Sequence, residues 1–587
     1  MRMVFGYPDT YEIAMSNLGL QIIYELVNNM EGLLLERVFA PWVDMEEKMR
    51  ERNVPLFSLE SWRPVKDFDL IGFTLQYELN YTNVLNMLDL SGMDVRSELR
   101  DHLDPLVVAG GPCAFNPEPL APFIDCFVIG DAEEALPEIL ERLKTHKAKR
   151  RGTLNKAQFL QEAADISGVY VPAFYSFKYK RDGTVLQKEV QPPAPPQVTK
   201  RVIKNLGEAF SPTKPIVPNI EVVHDRIMLE VARGCTRGCR FCQAGVIYRP
   251  VRERDVGRLV ETGKSLVEAT GHGEVSLVSL NTADYSQVLQ LAKQMTEDFS
   301  CRRVSLSLPS LRVDRFSVDL AREVHKVRRS TLTFAPEAGT QRLRDVINKG
   351  VREEDLFSAA AAAFAAGWDQ LKLYFMIGLP TETTADLEGI GSLVDEVLRI
   401  GREVRGNRRV KVTVSTSSFV PKPHTPFQWS AQDTVQTLKE KQQHLKRVLR
   451  KPGVVYNWHD PNQSFIEAII SRGGRDTGNL LQTAWEKGCR FDSWSEHFQF
   501  GLWEEAISEL GYDAHLHINR GLFLNATLAW DHINTGIKKR FLIGEYRRAL
   551  EEQTLPTCRF FSCSQCGVCS ELGVTKEVSG QSNARSF

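Results

Sequence analysis

The chain has 587 residues, 42% of them hydrophobic and 25% charged, with a formal net charge of -1, a length that suits three or four domains of ~150 residues. The near-neutral balance excludes a global field steering the molecule to nucleic acid or a membrane surface, although a local basic groove stays open. No apolar run approaches the ~20 residues of a membrane span, and no apolar core with a cleavage site follows Met1-Arg2, so neither an anchor nor a secretory leader is expected.

Residues 1 to about 147 alternate apolar runs (3–7, 33–39, 70–75, 106–109, 126–129) with helical patterns such as 11–30 and 81–90. This alternation predicts a parallel, doubly wound sheet. Gly110-Gly111-Pro112 and Gly130-Asp131 fall at strand ends, where open α/β sheets bind ligands; they equally suit plain tight turns. Residues 169–180 and 184–190 flank Arg181-Asp182-Gly183, and Asp-Gly marks a hairpin. Pro192, Pro193, Pro195 and Pro196, then Pro212, Pro215 and Pro218, make a semi-rigid linker.

Strand–helix alternation returns from residue 227 to about 426. Candidate strands are 227–232, 274–280, 303–308, 330–335, 370–377 and 410–417, and the alanine-rich run 359–366 reads as a helix between two of them. Residues 430 to about 550 are mostly helical by pattern and rich in tryptophan and histidine. The bases Lys538, Lys539, Arg540, Arg547 and Arg548 either meet phosphates or form an ordinary solvated face.

Seven of the eleven cysteines fall in two tight groups, which favours metal binding over disulfides in a reducing cytoplasm. Cys235, Cys239 and Cys242 have the spacing C-x3-C-x2-C on a glycine-rich stretch after the run 227–231. Thiolates suit iron–sulfur clusters and zinc. Three ligands leave one metal position open, as a catalytic centre needs; a zinc site completed by a distant histidine is the alternative. The second group, Cys558, Cys563, Cys566 and Cys569, has enough thiols to enclose a metal fully, as iron–sulfur or zinc. The last dozen residues are polar and expected to be disordered.

C-x3-C-x2-C after the first strand of an α/β repeat, with Phe241 before the third cysteine, resembles the radical S-adenosylmethionine (SAM) enzymes. The resemblance implies that Cys235, Cys239 and Cys242 hold a [4Fe-4S] cluster whose fourth iron takes SAM. It implies one-electron cleavage of SAM to methionine and a 5'-deoxyadenosyl radical, which takes hydrogen from a substrate. Cofactor contacts carry over by position. Ser279 and Asn281 stand where the family's glycine-rich motif holds the SAM amino group, though the glycines are replaced here. Glu337 stands where an acidic residue often binds ribose, and Gly378 opens the turn that packs on adenine. His424, in Phe419 to Gln428, either faces substrate or is a hydrogen-bonded structural histidine. An electron donor of flavodoxin or ferredoxin type is expected.

Residues 1 to about 147 resemble the N-terminal Rossmann-like domain that precedes the core in cobalamin-type radical SAM enzymes, and more narrowly, through the runs 8–19 and 110–118, an uncharacterised family with a C-terminal cysteine group. His459-Asp460, Arg472 to Asp476 and Trp494 to His497 resemble stretches of that family too. The cobalamin-ligand motif D-x-H-x-x-G is absent, and Asp531-His532 has the wrong spacing. The residues, His102 included, therefore argue against a histidine-ligated cobalamin and leave one without that ligand open. The chain opens directly on a strand where relatives usually have a preceding segment, so a truncated start is expected.

The expected fold is α/β. A Rossmann-like doubly wound domain (1–168) is followed by a hairpin and proline-rich linker (169–224) and a partial (β/α)6 radical SAM barrel (225–430). A mostly helical C-terminal region (431–550) and a cysteine-rich tail (551–587) complete it. The expected function is a cytoplasmic radical SAM enzyme without membrane contact, its large flanking domains suiting a macromolecule such as RNA. The alternatives are a cobalamin-dependent radical SAM methyltransferase and, in another class, a non-catalytic metal-binding protein or cluster carrier.

Overall fold

A computed structural model describes residues 1–578 apart from 151, 301, 309–311, 316–331, 407 and 408. Cys301, the first two residues of the predicted strand 330–335 and most of the chain end expected to be disordered lie outside the described residues. Contacts divide the chain into two units. The first joins Met1–Ile203, Ala209–Asp225 and Phe465–Gly536; the second joins Lys204–Glu208, Arg226–Ser464 and Ile537–Phe587.

In the first unit the N-terminal apolar runs become β1 (Arg2–Tyr7), β2 (Leu34–Phe39), β3 (Leu70–Thr74), β4 (Leu106–Gly110) and β5 (Cys126–Val128). They pair in parallel in the order β2-β1-β3-β4-β5. All five residues of β3 are buried, as expected of strands covered on both faces by helices. Asn17 starts the helix Leu18–Asn28 by accepting from Leu20 N at 3.0 Å, satisfying one of its open N–H groups. A sixth strand, β6 (Val169–Tyr170), runs antiparallel to β5. The arm predicted as one hairpin strand from 169 to 180 is thus split. Pro172 has no N–H to continue a ladder and opens the turn Pro172–Phe174. Then β7 (Tyr175–Tyr179) and β8 (Val185–Val190) form the hairpin. The short β9 (Val198–Thr199) pairs at the far end of this unit's chain with a strand Ile533–Asn534.

Four of the motifs that resemble the uncharacterised family meet as two pairs in this unit. Trp494 Nε1 donates to Asp9 Oδ1 at 2.9 Å. Arg475 Nε donates to the fully buried Glu118 at 2.9 Å. Burial works against the Glu118 charge, but Arg475 and His532 outweigh it and hold this carboxyl down to about 2. His102 is exposed. A second histidine, His146, is buried in the helix Ala132–Lys149.

In the second unit all six predicted strands form. β10 (Ile227–Glu230), β13 (Glu274–Val278) and β14 (Ser305–Ser307) make a three-stranded parallel sheet. β15 (Leu332–Glu337), β16 (Gln370–Ile377) and β17 (Lys411–Ser418) continue in parallel with a strand the sequence reading missed, β18 (Val454–Trp458). Its Val-Val-Tyr-Asn-Trp sequence has strand chemistry, but it lies among helices, within the stretch whose pattern reads as helical. Between strands run helices such as Val256–Thr270, capped by Asp255 and closed by Gly271 at φ +71°. Leu371, Leu373, Phe375 and Ile377 are fully buried at every second position of β16, the period of a pleated strand. Together these elements form a partial β/α barrel.

Candidate functional site

The cysteine loop leaves β10 through β11 (Ala232–Arg233), which pairs antiparallel with β12 (Arg252–Glu253). Gly234 turns the chain at φ +90°, and a Cβ there would lie 2.4 Å from the Pro250 carbonyl oxygen, so only glycine fits. Cys235, Cys239 and Cys242 follow, all half-buried and reduced. Arg237 N donates to Cys235 Sγ at 3.4 Å and Gly245 N to Cys242 Sγ at 3.3 Å. Burial, then the neighbouring Cys239, pushes the Cys242 thiol up to about 12 and raises Cys235. Binding a metal ionises such thiols. Among the described residues no three His, Cys, Asp or Glu side chains stand at the spacing of ligands to one metal ion; a four-iron cluster is a larger object.

Two arginines between the cysteines fix the loop. Arg237 forms a fork with Asp284 (2.6 and 2.7 Å) and reaches Asp314 at 3.2 Å. Burial opposes the Asp284 charge, yet Arg237 holds its carboxyl below the usual range. Arg240 is fully buried. It pairs with Glu545 at 3.2 Å and donates to the carbonyls of Asp345, Val346 and Gln553. The sequence reading singled out neither arginine; their alternation with the cysteines is the signal it passed over.

The predicted contact residues follow the C-terminal ends of the strands, where barrels place function. Phe241 packs on an apolar cluster with Leu343, Leu379, Phe419 and Phe427, drawn from the segments after β15, β16 and β17. Ser279 Oγ accepts from Asn281 N at 3.2 Å. The Asn281 amide nitrogen donates to Asp284, and its Oδ1 is buried without a hydrogen-bond partner. That orphan acceptor fits a donor such as the SAM amino group. Glu337 ends β15, buried, and accepts from Lys349 Nζ at 3.0 Å. Gly378 follows β16 and donates to Glu382 at 2.9 Å, and Lys441 ties Glu382 to Asp433. His424 is buried and its backbone N donates to Gln428. Glu337, Thr381 and His424 all have positive φ (69°, 67° and 63°). Such strain in side-chain-bearing residues gathers at functional sites, and here it follows three consecutive strands. The residues present therefore fit a cluster on the three thiols with SAM beside it.

The tail is fastened to the same loop. Thr557 Oγ1 donates to Thr236 O at 3.1 Å. Asn348 bridges Gly238 O and the backbone of Leu555. Buried Arg559 pairs with buried Glu253 at 3.0 Å, and Glu577 N donates to Val251 O. Cys558 and Cys239 consequently line one small cavity with Arg249.

Residues 19–172 match the domain described as radical SAM proteins, N-terminal, and residues 229–394 match the radical SAM superfamily domain. An uncharacterized protein of Methanocaldococcus jannaschii is 29% identical over 472 residues, 78% of this chain and 92% of that one. The tRNA-2-methylthio-N(6)-dimethylallyladenosine synthase of Erythrobacter litoralis is 23% identical over 283 residues, 45% of this chain and 59% of that one. A solved structure of the cobalamin-dependent S-adenosylmethionine radical enzyme OxsB, with aqua-cobalamin and S-adenosylmethionine bound, aligns at 10% identity and a TM-score of 0.47, covering 97% of this chain and 83% of that one. Both domains of a radical SAM protein follow one another in this chain, and the three thiols lie where the second of them begins: the chain belongs to the radical SAM superfamily and is an enzyme of the [4Fe-4S] cluster and SAM.

Proposed function

We propose that this enzyme acts on a macromolecular substrate, RNA, in a reducing cytoplasm, and draws electrons from a flavodoxin- or ferredoxin-like donor. When bound, the cluster supplies one electron that splits SAM into methionine and a 5'-deoxyadenosyl radical able to take hydrogen from the substrate. The chain's own residues do the rest. Cys235, Cys239 and Cys242 would hold the cluster. Asn281 accepts from the amino group, Glu337 accepts from ribose, and the Gly378–Glu382 turn and Phe241 supply apolar walls.

The observation that carries the reading is the three-thiol loop braced by Arg237 to Asp284, in the loop where Asn281 keeps an unpartnered buried oxygen. Replacing all three cysteines with alanine should abolish reductive formation of 5'-deoxyadenosine while the protein stays folded. Production undiminished above the background of free iron and reductant would sink it. RNA is supported by the tRNA-modifying relative and by the exposed bases Lys538 and Arg540, which suit phosphates. Nucleosides from RNA treated with the enzyme should show a mass change that the triple variant does not make; unchanged nucleosides would remove RNA.

One observation favours the second reading, cobalamin-dependent methyl transfer. The first unit holds a cavity of about 950 Å³ at the carboxyl ends of β1 and β2, lined by Thr10, Phe39, Trp42, Phe57 and Trp494 among others. Ligands of open α/β sheets sit at such ends. Among the described residues no histidine lines it, so a cobalamin there would lack a histidine ligand from them. Absorbance of protein purified with added cobalamin decides whether it binds.

A further inference from the structure

We infer that Cys558, Cys563, Cys566 and Cys569 hold a second iron–sulfur cluster that serves as the port through which electrons enter the enzyme. The inference rests on the radical SAM reading and adds how its cluster is reduced.

The tail runs from the catalytic loop to solvent. At its inner end, Cys558 shares a cavity with Cys239, and the flanking residues are clamped to that loop through Thr557–Thr236 and Arg559–Glu253. At its outer end, Cys563 and Cys569 are exposed, as is Phe561, two residues before Cys563. A purely structural metal site needs neither end: it could sit anywhere on the surface, with its thiols covered.

The tail also repeats the sulfur environment of the catalytic loop. Gln565 N donates to Cys563 Sγ at 3.4 Å, two residues on, as Arg237 N does to Cys235 Sγ. The Lys576 backbone N–H supports Cys569. N–H groups aimed at thiolate sulfur tune the potentials of iron–sulfur clusters. Gln565 reaches this geometry at φ +54° and Gly567 at φ +100°, so the loop curls around its sulfurs at a conformational cost for Gln565. Lys538 N donates to Cys566 O at 3.0 Å, which places the backbone of Lys538, an exposed base, against the cysteine group. Positive charge there suits an acidic carrier protein.

The step is a one-electron exchange. A reduced carrier is oxidised as the tail cluster is reduced, and the tail cluster is reoxidised as the catalytic cluster is reduced; no bond forms or breaks and no atom is transferred.

The test uses the full chain, anaerobically reconstituted, against the variant Cys563→Ala/Cys566→Ala/Cys569→Ala. The wild type should carry about eight irons and the variant about four, with one electron-paramagnetic signal lost. The four irons kept by the variant report that the second unit has folded. SAM cleavage is then driven by reduced flavodoxin and, separately, by titanium(III) citrate. The ratio of the flavodoxin-driven to the titanium-driven rate should fall about tenfold or more in the variant. Equal iron in the two proteins, or zinc lost in place of iron, overturns the cluster. Lost iron with an unchanged ratio overturns the port. A wild type that holds both clusters yet makes no 5'-deoxyadenosine with titanium citrate would instead sink the radical SAM reading, and the iron count would still judge the tail.

Discussion

Arg237 and Asp284 meet in a two-pronged ion pair, Nε to Oδ2 at 2.6 Å and Nη2 to Oδ1 at 2.7 Å. The pair joins the cysteine loop to the loop after β13, and Asp284 also accepts from the amide of Asn281. One guanidinium thereby sets the position of a thiol loop and of an orphan acceptor. Arg237→Lys keeps the charge but cannot make the fork. It should cost SAM binding about 1–2 kcal/mol, roughly tenfold in Kd, with iron per chain unchanged. Equal affinity at equal iron content would show that the pair positions nothing in the SAM site.

Glu337→Gln tests the ribose contact. The glutamate is held at φ +69° and accepts from Lys349, which orients its carboxylate. Loss of one charge-assisted hydrogen bond should weaken SAM by about 1–2 kcal/mol. Equilibrium binding to wild type and variant decides it; unchanged affinity makes Glu337 a partner of Lys349 alone.

Arg240 has another job. Its charge is fully buried, and Glu545 is nearly so. Removing one partner of a buried pair leaves the other charge uncompensated, at about 3–5 kcal/mol. Arg240→Met should therefore lower the urea midpoint of the second unit and let iron leak from the cysteine loop. Arg240→Met with Glu545→Leu should recover part of the loss. If the double variant is as unstable as the sum of the two single ones, the two residues are not coupled.

The thiol motif and the strand–helix rhythm were legible because each is local. Thiol spacing is a covalent fact, and runs such as 370–377 match β16 residue for residue. What stayed hidden depends on chain segments distant in sequence. Arg240 reads as a surface arginine until residues 345, 346, 545 and 553 close over it. The tail reads as an appendage until Arg559 finds Glu253, 306 residues away. β18 shows a third kind of failure. Four strand-forming residues and Asn457, between helices of a helical region, are outweighed by their neighbours, and only pairing with β17 makes them a strand. Asn281 was placed by position alone, and its unpartnered oxygen could not be foreseen from sequence.

The last prediction concerns pH and the first unit. Asp492 is completely buried, and its carboxylate accepts from Thr82 Oγ1 at 2.7 Å and Trp503 Nε1 at 2.9 Å. Burial outweighs both hydrogen bonds and pushes its pKa up to about 6. The folded state thus binds this proton more tightly than the unfolded chain does. The protonated carboxyl contributes its full stability below the unfolded pKa of ~4, and that contribution is lost as pH rises through 6. Between about pH 4.5 and about pH 7.5 the loss should come to about 2 kcal/mol. Asp492→Asn does not titrate; its Oδ1 can still accept from Trp503 and its amide can donate to Thr82. The variant should gain on the wild type by that amount over the same range. Hydrogen exchange in the helices Phe500–Glu509 and Tyr81–Leu90, corrected for the intrinsic pH dependence of exchange, reports on the region directly. A protection ratio between variant and wild type that stays flat from acid to neutral pH would mean that Asp492 is ionised throughout, and that its two hydrogen bonds compensate for its burial after all.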